Sequence, residues 1–300
     1  MTSEFFIQQL ISGISIGMAY ALIAIGYSMV YGILRFINFG HGAVYMTGTY
    51  IGFFSWVFLM NYLPLWPSFF IAMLIAMIGA AIFGILMERL AYKPVRGKYR
   101  LTTFMSSLGV SLFITYGMEF LVGPAPRRTP LLFEGVRFHI GGAILSGMQI
   151  FMFVVALFLM IITQWFVQYT RTGRAIRACS EDPGAASLMG ISYDRTISAT
   201  FAIGSALGAV SGLMVGAYYS AIYPTMGWQA GIKGFIAAVT GGIGSIPGAM
   251  LGGLLLGMAE NLGAGLLSSG YRDAIAFTVL VLVMLIRPTG LIAREMRSSL

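Results

Sequence analysis

Residues 171–195 read RTGRAIRACSEDPGAASLMGISYDR. They form the longest polar break between apolar segments on the side that the positive charges mark as cytoplasmic. A compact helix signal lies inside the break. Asp182 can accept hydrogen bonds from the first free backbone N–H groups, and Pro183 suits the first helical position, where no N–H is needed. Ala185, Ala186, Leu188 and Met189 continue the helix, and Gly190 supplies a left-handed stop. The pattern predicts a helix of about two turns (roughly 10 Å) that presents Ala and Leu/Met outside the bilayer. Two destinations fit. The helix could dock into a partner's groove, or rest on lipid head groups, to which Arg171, Arg174 and Arg177, three residues apart, would be attracted. Capping chemistry says where a helix starts and not what it touches.

Composition sets the class of the chain around this break. The 300 residues are 58% hydrophobic and 9% charged, with mean hydropathy +0.86. A soluble protein could not hide that much apolar surface, and the length allows eight or nine spans of about 20 residues. A net charge of +8 in a soluble chain would point to nucleic acid. Here Lys and Arg gather in particular loops, so the positive-inside rule accounts for the charge and no nucleic-acid partner is expected. The single cysteine, Cys179, excludes an intramolecular disulfide. Two distant histidines, His41 and His139, leave no Cys/His metal motif. The first seven residues lack Lys and Arg, and the apolar run from Ile7 to Tyr31 is too long for a signal peptide's core.

Apolar segments predict spans over about 8–32, 43–60, 68–90, 101–122, 147–167, 197–219, 249–267 and 273–286. The loop 61–67 carries Pro64, Trp66 and Pro67 and reads as an exposed turn with an interfacial Trp. A shorter segment, 231–240, crosses or re-enters and is followed by the helix-breaking run GGIGSIPG at 241–248. Non-helical backbone at membrane depth is tolerated only against protein or water, so this break is expected to line something. The expected architecture is an all-α polytopic membrane protein, one domain over 1–300 with a cytoplasmic loop at 168–196. It has eight full spans and one short or re-entrant segment. Placing 89–100, 171–195, Arg35 and the tail inside puts 13 of the 18 Lys and Arg there. The five outside are Arg127, Arg128, Arg137, Lys233 and Arg272. The C-terminus is then cytoplasmic, and the N-terminus lies outside if 231–240 crosses.

Gly204, Gly208, Gly212 and Gly216 recur every fourth residue along one span, and further pairs fall at 13/17, 48/52, 248/252 and 253/257. Such stripes let helix backbones approach closely, and packing within the bundle is the preferred reading. Gly13-Ile14-Ser15-Ile16-Gly17 matches a hydrolase pattern but lies near the start of an apolar helix without Asp or His partners. Gly97-Lys98 is followed by Tyr99, and no phosphate-binding loop occurs. If ATP drives this chain, another subunit must hydrolyse it. Asn38, His41, Glu119, Glu260 and Asn261 are the polar groups at or near membrane depth. Of these, Asn38, His41, Glu260 and Asn261 are the candidates for lining a pathway. Structural readings stand beside that one: a turn for His41, interhelical hydrogen bonds for Glu260 and Asn261. Glu119 is read as reaching the outer interface.

Four stretches carry a family resemblance: GMAYALIAIGYSMVYGILRFINFGHGAVYMTG (17–48), RTGRAIRACSEDPGAASLMGI (171–191), GIKGFIAAVTGGIGSIPGAMLGGLLLGMAEN (231–261) and RPTGL (287–291). In family order, they make the chain resemble the LivH-type permease subunits of branched-chain amino acid ABC importers. The resemblance implies an ABC importer membrane-domain fold with an inverted repeat, a pathway at the subunit interface and a place in the bacterial cytoplasmic membrane. It implies that 180–191 is a coupling helix docked in a cleft of a cytoplasmic ATPase. Leu188 and Met189 would make the apolar contact there, and Glu181 would pair with an ATPase cation. It also implies a second, LivM-type permease, two ATPases that hold the ATP, an extracytoplasmic binding protein and no cofactor in this chain. Three alternatives frame the substrate (branched-chain, other amino acid, or urea or amide). A secondary transporter or channel working alone is the rival reading. A membrane enzyme is disfavoured by the shortage of clustered His, Asp and Glu.

Overall fold

The computed structural model describes residues 3–140 and 142–292. Arg294 and Arg297 of the tail lie outside the described residues. Eleven α-helices are present among the described residues: α1 (Ser3–Leu34), α2 (Gly40–Leu59), α3 (Leu65–Met87), α4 (Arg100–Val122), α5 (Gly147–Tyr169), α6 (Arg171–Glu181), α7 (Pro183–Leu188), α8 (Tyr193–Tyr219), α9 (Met226–Gly241), α10 (Ile246–Leu266) and α11 (Arg272–Ile286). Eight of them are long and apolar enough to cross a bilayer. The ninth candidate, α9, has 16 residues.

Buried helices α1, α2 and α8 form the centre, and α3, α4, α5 and α11 turn large apolar side chains outward. Lipid gives apolar helices no hydrophobic reason to associate, so close backbone approach and polar contacts must hold the centre together. The glycine pairs supply that approach, all of them inside the chain. Gly13 and Gly17 of α1 lie against Gly257, Met258, Gly253 and Leu254 of α10. Gly204 faces Gly26 of α1, Gly208 faces His41 and Tyr45 of α2, and Gly212 faces Thr49. Gly216 faces Ile222 and Thr49. Gly48 and Gly52 admit Ala209 and Leu213 of α8 and Ala80 and Ala76 of α3. Ser15, centre of the hydrolase-like pattern, donates to the Ile11 carbonyl within α1 (2.9 Å).

The outer side carries two small sheets that apolar periodicity does not predict. Strand β1 (Arg127–Arg128) pairs antiparallel with β4 (Ala221–Ile222), and β2 (Arg137–Ile140) pairs with β3 (Ala143–Ser146). Gln8 of α1 joins β3: its Nε2 donates to the Ile144 carbonyl (3.0 Å) and its Oε1 accepts from Ile144 N–H (2.7 Å). The start of α1 is therefore on the outer side. Trp66, expected in a loop, belongs to the first turn of α3 and packs edge-on against Phe133 at 4.6 Å. Pro67 is tolerated there because first-turn N–H groups have no helical partner.

The short segment runs from the outer side of the bundle to its cytoplasmic end. It follows the outer strand β4, and its other end accepts hydrogen bonds from the tail: Leu291 N–H to Thr240 O (3.0 Å) and Ile292 N–H to Gly241 O (2.9 Å). The glycine break thus sits at the cytoplasmic end of the bundle rather than at mid-depth. Gly242 and Gly244 turn there with φ of 109° and 91°, values that L side chains rarely adopt. The break does line a space, a cavity of about 250 Å³ shared with the end of α5 and with Arg177 and Ser180 of α6.

Candidate functional site

The cytoplasmic loop folds as two helices: the short helix expected between the Asp182 cap and the Gly190 stop forms as α7, and α6 precedes it and takes in Ser180 and Glu181, which the resemblance assigns to the coupling helix. Thr170 caps α6 by accepting from Gly173 N–H (3.0 Å). Gly173, Ile176 and Cys179, three residues apart, are the buried face of α6. The arginines between them reach protein: Arg177 donates to the Val167 and Gln168 carbonyls at the end of α5, and Arg174 to the Tyr169 carbonyl (3.4 Å). A cation at a helix C-terminus satisfies carbonyls that lack partners. Arg35, held at φ 55° after α1, donates to the Ser180 carbonyl (2.6 Å) and ties the other end of α6. Burial pushes the Cys179 thiol above its ordinary range. A maleimide is expected to label native protein at a rate on the order of a tenth or less of that in dodecyl sulfate, measured by mass shift.

Glu181 ends α6 and Asp182 both ends α6 and caps α7. Its Oδ1 accepts from Gly184 N–H (2.8 Å) and Ala185 N–H (2.9 Å), and Pro183 occupies the first helical position. Gly190 stops the helix at φ 82°, with Gly190 N–H on Ser187 O (3.0 Å) and Ile191 N–H on Ala186 O (3.1 Å). Ala186 is buried and Ala185 exposed. Leu188 and Met189 are 91% and 83% exposed, side by side at the helix tip. Fixed backbone geometry thus holds two large apolar side chains off the protein.

Next to this tip lies an ionic cluster not anticipated from sequence. Glu88 begins a π-helical segment (Glu88–Tyr92) at the end of α3 and is buried. It accepts from Ser198 Oγ (3.0 Å) and pairs with Arg96. Arg96 and Lys93 both pair with Asp194 of α8 at 2.6 Å, and the Arg96 guanidinium lies 5.5 Å from the Tyr193 ring centroid. The cluster clamps the end of α3 to the start of α8, directly after α7. Glu88 and Arg96 are eight residues apart, a spacing that puts no helical pair together, which is why only the fold reveals it.

The four pathway candidates separate into two groups. Asn38 and His41 are buried at the α1–α2 turn. Tyr92 Oη donates to Asn38 Oδ1 (2.6 Å), and the His41 ring bonds the Ile23 carbonyl and packs edge-on against Tyr27 at 4.8 Å. Glu260 and Asn261 lie in α10, where Asn261 Nδ2 donates to Gly257 O (2.9 Å). Neither group borders a cavity of about 560 Å³ on the outer side of the bundle. Tyr20, Tyr45, Tyr219 and Tyr223 line its walls, with Lys233, Arg272 and Asp273. Lys233, counted from sequence among the outer charges, is a side chain within α9, 14% exposed. Its Nζ lies 3.2 Å from both Glu260 oxygens and 3.1 Å from Asp273 Oδ1. Tyr20 Oη donates to Glu260 Oε2 (2.9 Å), and Arg272 donates to Asn261 Oδ1 (3.3 Å). Glu260 and Asn261 therefore stand one step behind the cavity wall.

A multi-span bundle with a half-enclosed outer cavity and a rigid apolar helix tip on the cytoplasmic side has the anatomy of a transporter's membrane subunit. The family model "Branched-chain amino acid transport system / permease component" matches residues 9–285, and the chain belongs to that family. It is 43% identical over 297 residues to the high-affinity branched-chain amino acid transport system permease protein LivH of Escherichia coli (strain K12), covering 97% of this chain and 96% of LivH. It is 46% identical over 296 residues to BraD, the corresponding permease of Pseudomonas aeruginosa, covering 96% of each. The fructose import permease protein FrcC of Rhizobium meliloti is 31% identical over 135 residues, 43% of this chain and 36% of FrcC. The chain is a multi-pass permease of the inner membrane.

Proposed function

We propose that this chain is a permease subunit of an ABC importer for branched-chain amino acids. ATP is bound and hydrolysed on two separate ATPase subunits, and the chain itself holds no cofactor. A second, LivM-type permease completes the membrane unit. An extracytoplasmic binding protein docks on the outer loops, including 123–146, and delivers the substrate. Residues 180–191 couple the two halves of the machine: α7 seats in an ATPase cleft, with Leu188 and Met189 as its apolar contact.

The observation that carries this reading is the tip of α7. Two adjacent large apolar residues, nearly fully exposed and fixed by a capped helix, suit a preformed groove. They suit head groups less well, because Arg177, one of the three arginines that would anchor the loop to lipid, is engaged on α5 carbonyls. When ATPase closure shifts α7, the movement enters α5 and α1 through α6 and enters α3 and α8 through the Glu88–Arg96–Asp194 cluster. The test is purification of the tagged chain from its native membranes, with mass spectrometry and leucine uptake in proteoliposomes. Recovery of an ATPase and a second permease, with uptake that requires internal ATP and the binding protein, is the expected result. Recovery of the chain alone, with uptake driven by an ion gradient, would overturn it in favour of a secondary transporter.

A further inference from the structure

The outer cavity combines two chemistries. Its tyrosine walls offer aromatic surface to an apolar side chain. One side of it carries charge, in a pattern that a passage for neutral solutes would not need. Lys233 sits between two carboxylates, one fully buried and one 63% exposed. Glu260, at 0% exposure, is held by Tyr20 as well and cannot leave. Asp273 is at the solvent edge, in the first turn of α11, and can exchange partners. Arg272 stands beside it, engaged only by the neutral Asn261 amide at 3.3 Å among the described contacts. A cavity of about 560 Å³ falls within the range of small-ligand sites, roughly 300–1,000 Å³.

We propose that this cavity is a transit site that recognises α-amino acids with apolar side chains as zwitterions. The inference rests on the permease reading and adds the site within it. The substrate carboxylate takes the place of Asp273 on Lys233 and is shared with Arg272. The substrate ammonium takes the freed Asp273. The apolar side chain lies among Tyr45, Tyr219 and Tyr223. Glu260 is a positioning residue: it keeps Lys233 at the wall when Asp273 lets go. In this exchange one ion pair becomes two and the number of charges on the protein stays unchanged. A solute with only the carboxylate leaves Asp273 without a partner, and one with only the ammonium leaves Lys233 with Glu260 alone; either loses one of the two new ion pairs. Selection by the permease is then added to whatever its binding protein supplies.

The experiment uses the whole assembly in proteoliposomes, with binding protein outside, ATP inside and radiolabelled leucine as the probe. Asp273→Asn and Lys233→Gln are each expected to lower maximal leucine uptake by at least about tenfold, the scale of a lost charge-assisted hydrogen bond. ATP hydrolysis stimulated by the loaded binding protein is expected to stay within about twofold of wild type, because α7 is untouched, so each variant hydrolyses ATP with little transport. Lys233→Arg should recover part of the uptake. If Lys233→Gln fails to assemble, Asp273→Asn decides the matter, since Asp273 is largely exposed. Wild-type uptake by an assembled Asp273→Asn variant would overturn the cavity assignment and leave the permease reading intact. Absence of an ATPase from the purified wild-type assembly would overturn the permease reading and this inference with it.

Discussion

Leu188→Asp is expected to remove the ATPase from the purified assembly while the permease itself stays folded. The side chain is 91% exposed, so the substitution breaks no contact within the chain, and the thermal midpoint of the isolated permease should not move. Within a partner's groove the situation reverses. A central apolar anchor of an interface contributes about 2–4 kcal/mol, and a carboxylate in its place is desolvated without a partner. At about 1.4 kcal/mol per decade, affinity for the ATPase falls by a factor on the order of 30 to 1,000. Co-purification at sub-micromolar concentration reads that loss directly, together with loss of ATP-driven uptake. Retention of stoichiometric ATPase would show that the tip of α7 is not the anchor.

Gly257→Leu is the second large effect, and it acts on the fold. A Cβ at Gly257 falls on the backbone of Gly17, with the Gly13 carbonyl equally close. Backbone cannot rotate away as a side chain does, so α1 and α10 must separate. Overpacking in a well-packed interior costs about 1–3 kcal/mol; here it acts where the central helix α1 meets its partner, and the upper end of that range is expected. The measurement is the monodisperse fraction after detergent extraction and its thermal midpoint. Gly109→Leu is the matched control: no atom lies within 4 Å of a Cβ there. Equal behaviour of the two variants would refute the close approach of α1 and α10.

These two positions show which parts of the molecule were legible in the sequence. Spans were, because a run of about 20 apolar residues needs no register or partner to be recognised. The α7 caps were as well, since Asp182, Pro183 and Gly190 act on backbone groups within a few residues of themselves. The glycine pairs were visible as a property of single helices. Which helix each one faces depends on packing. What escaped is non-local. Strand β4 pairs with β1 from more than 90 residues away, and two-residue strands carry no periodic signal. Lys233 was counted as an outer charge, and its ion pairs could not be read from its own segment. Its partners Glu260 and Asp273 come from two other helices. The anchoring of α6 escaped for a related reason: Arg177 reads from sequence as one of a row of three arginines, and the carbonyls it satisfies belong to α5.

The two guanidinium contacts of α6 have a mechanical meaning. Arg177 fastens α6 to the lower end of α5, and Arg35 fastens the far end of α6 to the turn after α1. Force entering at Leu188 is therefore carried by two struts in parallel, one leading to a peripheral helix and the other to the hinge from which α2 departs. A lever supported at two points translates rather than pivots. The stroke delivered by the ATPases would then reach the centre of the bundle as a displacement of the α1–α2 corner, where Asn38 and His41 are packed, and not merely as a tilt of the outermost helix.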